Sequence, residues 1–153
     1  MKQAAIEKHP RYIKKVAEDN AKVVCLQELF CGPYFCAEQD RRSYRTAELV
    51  TDGSVTTLMQ EIARKHEIVL IVPMYEEDGA GIYYNSAPVV DAEGKYLGKY
   101  RKTHIPHCRL AFWEKCYSKP GNLGYLFSEQ LTQKRESTSA MTVISPKAPG
   151  RWV

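Results

Sequence analysis

An α/β layered fold is predicted by three features of this chain. Two short runs, "KVVCLQ" and "EIVLIV", are continuously apolar and β-branched, as strands covered on both faces are. A segment of helical periodicity precedes each of them. A hairpin follows, so the order is helix, strand, helix, strand, hairpin, which is that of α and β layers packed together.

The first element is "MKQAAIEKHPRYIKKVAEDN", where Ile6, Tyr12, Ile13, Val16 and Ala17 recur near helical spacing with charges between them. Pro10 has no backbone N–H and predicts a break or kink near His9. The first strand is read over Lys22–Gln27. A loop from Cys31 to Arg45 follows, opened by Gly32-Pro33. "DGSVTTLMQEIARKHE" is the clearest helix, with Val55, Leu58, Met59, Ile62 and Ala63 in one stripe and Asp52 or Ser54 as N-cap. "EIVLIVPMYEE" is the second strand. After the Asp78-Gly79 turn, "IYYNSAPVVD" and "GKYLGKYRK" flank Asp91–Gly94 and read as a hairpin.

From Ser128 the character changes. "SEQLTQKRESTSAMTVISPKAPGRWV" is polar and Ser/Thr-rich, and only "AMTVIS" has strand character. The chain therefore divides into residues 1–127 and a divergent, weakly ordered tail over 128–153.

With 153 residues there is material for one domain with a real core. Apolar and charged fractions of 44% and 26% exclude a disordered chain. The net charge of +4 is scattered in short groups, such as Arg41, Arg42 and Arg45 or Lys99, Arg101 and Lys102, and this excludes nucleic acid as a partner. No apolar run approaches the roughly 20 residues of a membrane span. Cysteines at 25, 31, 36, 108 and 116 are odd in number and form no C-x-x-C pair. Without a secretory leader they read as reduced thiols of a cytoplasmic protein. His104, His107, Cys108 and Cys116 crowd within thirteen residues. Pro106 prevents a helical His-x-x-His there, and the spacing fits no structural zinc pattern, so no metal is assigned.

The stretch "VVCLQELFCGPYFC" poses the functional question, because an apolar strand runs into the carboxylate of Glu28. Burying a carboxylate costs several kcal/mol unless it is paired or hydrogen-bonded. Strand ends, where loops carry chemistry, are where that cost is accepted. Together with "GPYF", the stretch "LQELF" is one of three pieces that resemble the nitrilase, or carbon–nitrogen hydrolase, superfamily. The others are "YYNSAPVVDAEGKYLGKYRKTHIP" and "FWEKCYSKPGNLGY". Within it they are most similar to the β-ureidopropionases and N-carbamoylputrescine amidases. The resemblance covers about residues 1–127, roughly the first half of such a domain.

It implies a nitrilase-type four-layer α-β-β-α sandwich, incomplete here as an N-terminal half. It also implies hydrolysis of a non-peptide C–N bond through a cysteine thioester, with no metal or organic cofactor. The substrate would be a small carbamoyl amine or acid such as N-carbamoyl-β-alanine. By position, Glu28 falls where the general base stands, Lys102 where the oxyanion-stabilising lysine stands, and Glu114 where a second, positioning glutamate stands. The chemistry needs these types: a thiol must lose a proton, and a carbonyl oxygen that gains charge needs a cation. Taken singly, each is an ordinary surface residue. The coincidence of three carries the reading.

The pattern then departs. The family's nucleophile lies on a strand after the "PGNLG" turn, in a context like Gly-x-x-Ile-Cys-Tyr-Asp. Here that position falls near Ser139–Val143, "SAMTV", and no cysteine follows Cys116. Cys25 lies three residues before Glu28, an offset that sends the two side chains to opposite faces of a strand. Cys31 and Cys36 lie on the loop beside Glu28, so direction does not exclude them as nucleophiles, but they read as buried, inert thiols. The expectation is a truncated, catalytically inactive chain. The alternative is a non-catalytic half-domain that associates with a full-length family subunit, because family members form oligomers.

Overall fold

The computed structural model describes residues 2–106, 108 and 112–124. In them a mixed five-stranded sheet carries two helices on one face. The elements are α1 (Lys2–Glu18), β1 (Val23–Cys25), α2 (Ser54–His66), β2 (Val69–Ile71), β3 (Met74–Gly79), β4 (Ile82–Val90), β5 (Tyr96–Arg101) and α3 (Glu114–Tyr117). Two 3₁₀ turns, Phe35–Ala37 and Arg41–Thr46, shape the loop between β1 and α2. The tail from Ser128, the stretch Ser139–Val143 and His107 lie outside the described residues.

Strand β1 runs parallel to β2, with Val24 opposite Leu70, and α2 forms the crossover between them. The nine-residue β4 organises the rest. On one side it pairs antiparallel with β2 and β3, Val89 against Ile71 and Ser86 against Met74. On the other it pairs with β5, Ser86 against Arg101. The hairpin at Asp91–Gly94 is as expected: the Asp91 carboxylate accepts from the N–H groups of Glu93 and Lys95, and Gly94 takes φ +80°.

The main core lies between this sheet and the helices. Ile13 of α1 and Val55, Met59, Ile62 and Ala63 of α2 meet Leu70, Val72, Met74 and Val90. Ile71, Ala87, Val89 and Tyr100 form a second buried cluster on the opposite face. Strand β2 is therefore covered on both sides, as its apolar run requires.

Four expectations are corrected. Helix α1 continues through Pro10, because the residues beyond it are anchored: Ile13 is fully buried, and His9 meets the Phe30 ring edge-on at 4.9 Å. Strand β1 is not buried on both faces: among the described residues it pairs with β2 alone, at the sheet edge, and Cys25 is exposed. Neither Asp52 nor Ser54 caps α2; the N-cap is Gly53, and the Glu48 carboxylate reaches across to accept from the Val55 N–H at 3.1 Å. The second strand is divided at Val72-Pro73 into β2 and β3. No helix among the described residues is long and apolar enough to cross a membrane.

A buried ion network lies on the face of the sheet that carries Met74. Glu76 is fully buried and accepts a fork from Arg101, Nε at 2.9 Å and Nη2 at 2.6 Å. Lys99 and Ser86 donate to the same carboxylate, and Arg101 also bonds Asp78. Among the described residues no buried side-chain polar atom lacks a partner.

Burial alone would raise the Glu76 pKa, but hydrogen bonds from Arg101, Lys99 and Ser86 outweigh it and hold the value below the ordinary 4.5. The folded pKa thus lies below the unfolded one. The stabilisation is complete above the unfolded value and is lost as pH falls through the folded one. Glu76→Gln is expected to cost about 3 kcal/mol at pH 7 by urea unfolding, because it leaves the buried Arg101 guanidinium and the partly buried Lys99 ammonium short of a carboxylate. The difference from the unaltered chain should narrow below the ordinary carboxylate pKa of 4.5. A difference independent of pH would show that the lost contribution is packing rather than charge.

Candidate active site

Three chain segments deliver the site. Glu28 stands three residues past β1, Lys102 one residue past β5, and Glu114 opens α3. Immediately after Glu28, Leu29 takes φ +52°, a left-handed conformation that costs a leucine roughly 1–2 kcal/mol. That turn lets Leu29 and Phe30 pack inward while Glu28 stays 47% exposed at its side chain. The buried carboxylate of the site is therefore not Glu28. It is Glu114, whose side chain is 1% exposed.

All three meet at the Lys102 ammonium. Lys102 Nζ donates to Glu28 Oε1 at 2.6 Å and to Glu114 Oε1 and Oε2 at 2.8 and 2.9 Å. Burial pulls the ammonium toward deprotonation, yet the hydrogen bonds to Glu114 and Glu28 outweigh it and hold the pKa above that of an ordinary lysine. Sequence reasoning missed a fourth member. Asn85 of β4 donates from Nδ2 to Glu28 Oε1 at 2.7 Å and to Glu114 Oε1 at 2.9 Å, so it bridges the two carboxylates without adding charge. Its signal was a lone amide in the otherwise apolar and aromatic run "IYYNSAPVV".

The aromatic Gly-Pro loop now has a reason. It is the socket for α3, and so for Glu114. Trp113 N–H donates to the Cys36 carbonyl at 2.7 Å, and the Tyr117 hydroxyl donates to the Glu38 carbonyl and accepts from Asp40 N–H. Tyr44 and Tyr75 hydroxyls bond the carbonyls of Cys116 and Tyr117. Phe35 packs between Tyr75 and Tyr117, each ring centroid 5.0 Å away. A cavity of about 490 Å³ lies beneath this loop, lined by Tyr34, Phe35, Asp40 and Tyr75 among others, and none of Glu28, Lys102 or Glu114 lines it.

The buried thiol beside the site is not activated. Cys36 is buried, and its pKa is pushed up to about 12 by burial and then by the nearby Glu114 charge. Cys31 packs against the main core. His104 and Cys108 are exposed, and among the described residues no group of three or more His, Cys, Asp and Glu side chains could hold a metal ion.

Comparison with known proteins decides the family. The carbon–nitrogen hydrolase model matches residues 2–144. The chain belongs to the carbon–nitrogen hydrolase family. It is 36% identical over 115 residues to an N-carbamoylputrescine amidase of Oryza sativa subsp. japonica, covering 75% of this chain and 38% of that protein. It is 34% identical over 113 residues to a citrullinase of Francisella tularensis, covering 74% and 39%. Among solved structures, a carbon–nitrogen hydrolase from Helicobacter pylori G27 superposes with a TM-score of 0.76 at 31% identity, over 82% of this chain and 42% of that one. The chain spans about two-fifths of the length of these relatives. The α/β sheet and the nitrilase-superfamily reading of the motifs both stand on these matches.

Glu114 depends on Lys102 for its burial. Lys102→Met is expected to cost about 3–5 kcal/mol, because it leaves a buried carboxylate without its cation. Combining it with Glu114→Gln should recover a large part of that loss. A urea-unfolding cycle in which the two changes simply add would show that the pair is not coupled.

Proposed function

We propose that this chain supplies the carboxylate–lysine–carboxylate part of an amidohydrolase site for N-carbamoyl amines or acids, with N-carbamoyl-β-alanine as the representative substrate. One observation carries the proposal. A single ammonium is gripped by two carboxylates from separate segments, at the positions where the family resemblance puts base, oxyanion stabiliser and positioning group. The relatives named N-carbamoylputrescine amidase, β-ureidopropionase and citrullinase support a ureido or carbamoyl group as the class of substrate.

The geometry divides the labour. Glu114 spends both oxygens on Lys102, which suits a group that orients the lysine. Glu28 uses only Oε1 toward Lys102 and Asn85, and Oε2 accepts no hydrogen bond from any described residue. On a side chain that is 47% exposed, that oxygen is free of protein donors among the described residues and able to take a proton from an attacking thiol. The Lys102 ammonium, held charged, offsets the negative charge that grows on a carbamoyl oxygen during attack. Attack by the thiolate on the carbamoyl carbon, with protonated Glu28 returning its proton to the departing nitrogen so that ammonia or the amine leaves, would leave an S-carbamoyl intermediate that water cleaves to a carbamate, which loses carbon dioxide.

No residue of these 153 supplies that thiol. In this reading residues 1–127 carry the hydrolase motifs. The family match continues to residue 144, across Ser139–Val143, where the thiol would stand and no cysteine occurs. Cys36, the thiol nearest in electrostatic terms, is held in the protonated form. The chain by itself therefore binds a carbamoyl ligand without hydrolysing it.

The test is saturation-transfer NMR with N-carbamoyl-β-alanine, run beside an ammonia assay. Binding is expected for the unaltered chain and is expected to be lost in Lys102→Met, with no ammonia released by either. Ammonia above the level of Glu28→Ala would overturn the inactivity, and its abolition by Cys31→Ala or Cys36→Ala would identify the nucleophile. Binding that survives Lys102→Met would remove Lys102 from the ligand site.

A further inference from the structure

Resting on the reading of Lys102 as the oxyanion-stabilising group, we propose that Arg101 is its positioning residue: it ties the sheet beneath Lys102 to the strap that descends from Glu114. Neighbouring residues on a strand project to opposite faces, so Arg101 acts from the far side of the sheet. Its guanidinium is almost fully used. The fork to Glu76 holds it to β3, Nη1 donates to Asn122 Oδ1 at 2.9 Å, and the group lies 3.9 Å from the centre of the Tyr84 ring.

Asn122 belongs to the segment 118–122, which leaves α3 and runs across the end of β5. Ser118 N–H donates to the Glu114 carbonyl, Lys119 N–H to the Tyr83 carbonyl, and Gly121 N–H to the Lys102 carbonyl, each at 2.9 Å. The strap lies so close that a Cβ at Gly121 would overlap the Arg101 carbonyl. Lys102 is thus bracketed along its main chain, with its own N–H on the Asn85 carbonyl at 2.8 Å and its carbonyl under Gly121. Arg101 is the side chain that bonds both sides of this bracket. It joins the carrier of Lys102 to the carrier of Glu114, whereas the two catalytic side chains touch only at their tips.

The consequence is specific. Losing the Arg101 fork should loosen the grip on the Lys102 ammonium, beyond whatever it does to global stability. The measurement is acetylation by an N-hydroxysuccinimide ester near pH 8, read by peptide mass spectrometry as the rate at Lys102 relative to exposed Lys65 in the same molecule. Reaction requires the free amine, so each unit of lowered pKa raises the relative rate about tenfold.

Arg101→Met is expected to raise the Lys102/Lys65 ratio about tenfold, and Arg101→Lys, which keeps the charge without the fork, by less. Asn122→Ala removes only the link to the strap and is expected to give about a threefold rise, and it decides the matter if Arg101→Met does not fold. Val55→Ala, a core change remote from this network, should lower the melting temperature and leave the ratio alone. Variants at Arg101 and Asn122 that lose stability as Val55→Ala does, with the ratio unchanged, would overturn the proposal and reduce Arg101 to a stabilising residue. Because no turnover is needed, this outcome is separate from failure of the hydrolase reading, which ammonia release and ligand binding measure.

Discussion

The constraint on which the site depends is one ammonium shared by two carboxylates. Lys102 satisfies a fully buried Glu114 and a half-exposed Glu28 at once, and the burial of Glu114 depends on it. Much of the surrounding architecture follows from keeping the three tips within hydrogen-bond distance. The strained turn at Leu29 aims Glu28, the β4–β5 ladder places Lys102, and the aromatic loop seats α3 and with it Glu114.

A charged cluster half in water is steadied by its neutral neighbour. Asn85 gives both amide hydrogens to the carboxylates and asks for no counter-charge, so the site gains two bonds and no further desolvated ion. On the other face of the sheet the Glu76–Arg101–Lys99 network uses the same logic with a buried Glu76–Arg101 pair and a partly buried Lys99, and its forked geometry is what makes that burial tolerable. Two polar networks on opposite faces of β4 and β5 thus meet at adjacent residues, Arg101 and Lys102. The Glu28–Lys102–Glu114 cluster is thus backed by a second bonded network across the sheet.

The two environments also separate the chemistry of the oxygens and thiols. Cys36 lies within the electrostatic reach of Glu114 and Glu28, and that proximity, added to burial, works against ionisation. The carboxylate pair at the site raises the pKa of a thiol held beneath it. Proximity to the site is therefore not evidence of reactivity, and the loop cysteines belong to packing.

Local order and motif identity were legible in the amino-acid text. Helix α2 and the β4–β5 hairpin rest on periodicity and turn chemistry within a few residues, and "LQEL", "YRKTH" and "FWEK" carry the three charged groups that the structure brings together. What the text could not reveal depends on partners far away. Glu28 and Lys102 are 74 residues apart, and only the sheet register brings them together. The same register makes Asn85 a bridge rather than a solitary amide, and places β1 at an edge where its apolar run is only half covered. Pro10 reads as a breaker until the anchoring of Ile13 is known, and α2 reads as needing a cap of its own until Glu48 arrives from outside the helix. Spacing along a chain reports which face a side chain shares with its near neighbours. Which distant groups meet it there is decided by tertiary packing, because hydrogen bonds and ion pairs act over a few ångströms of space and are indifferent to distance along the chain.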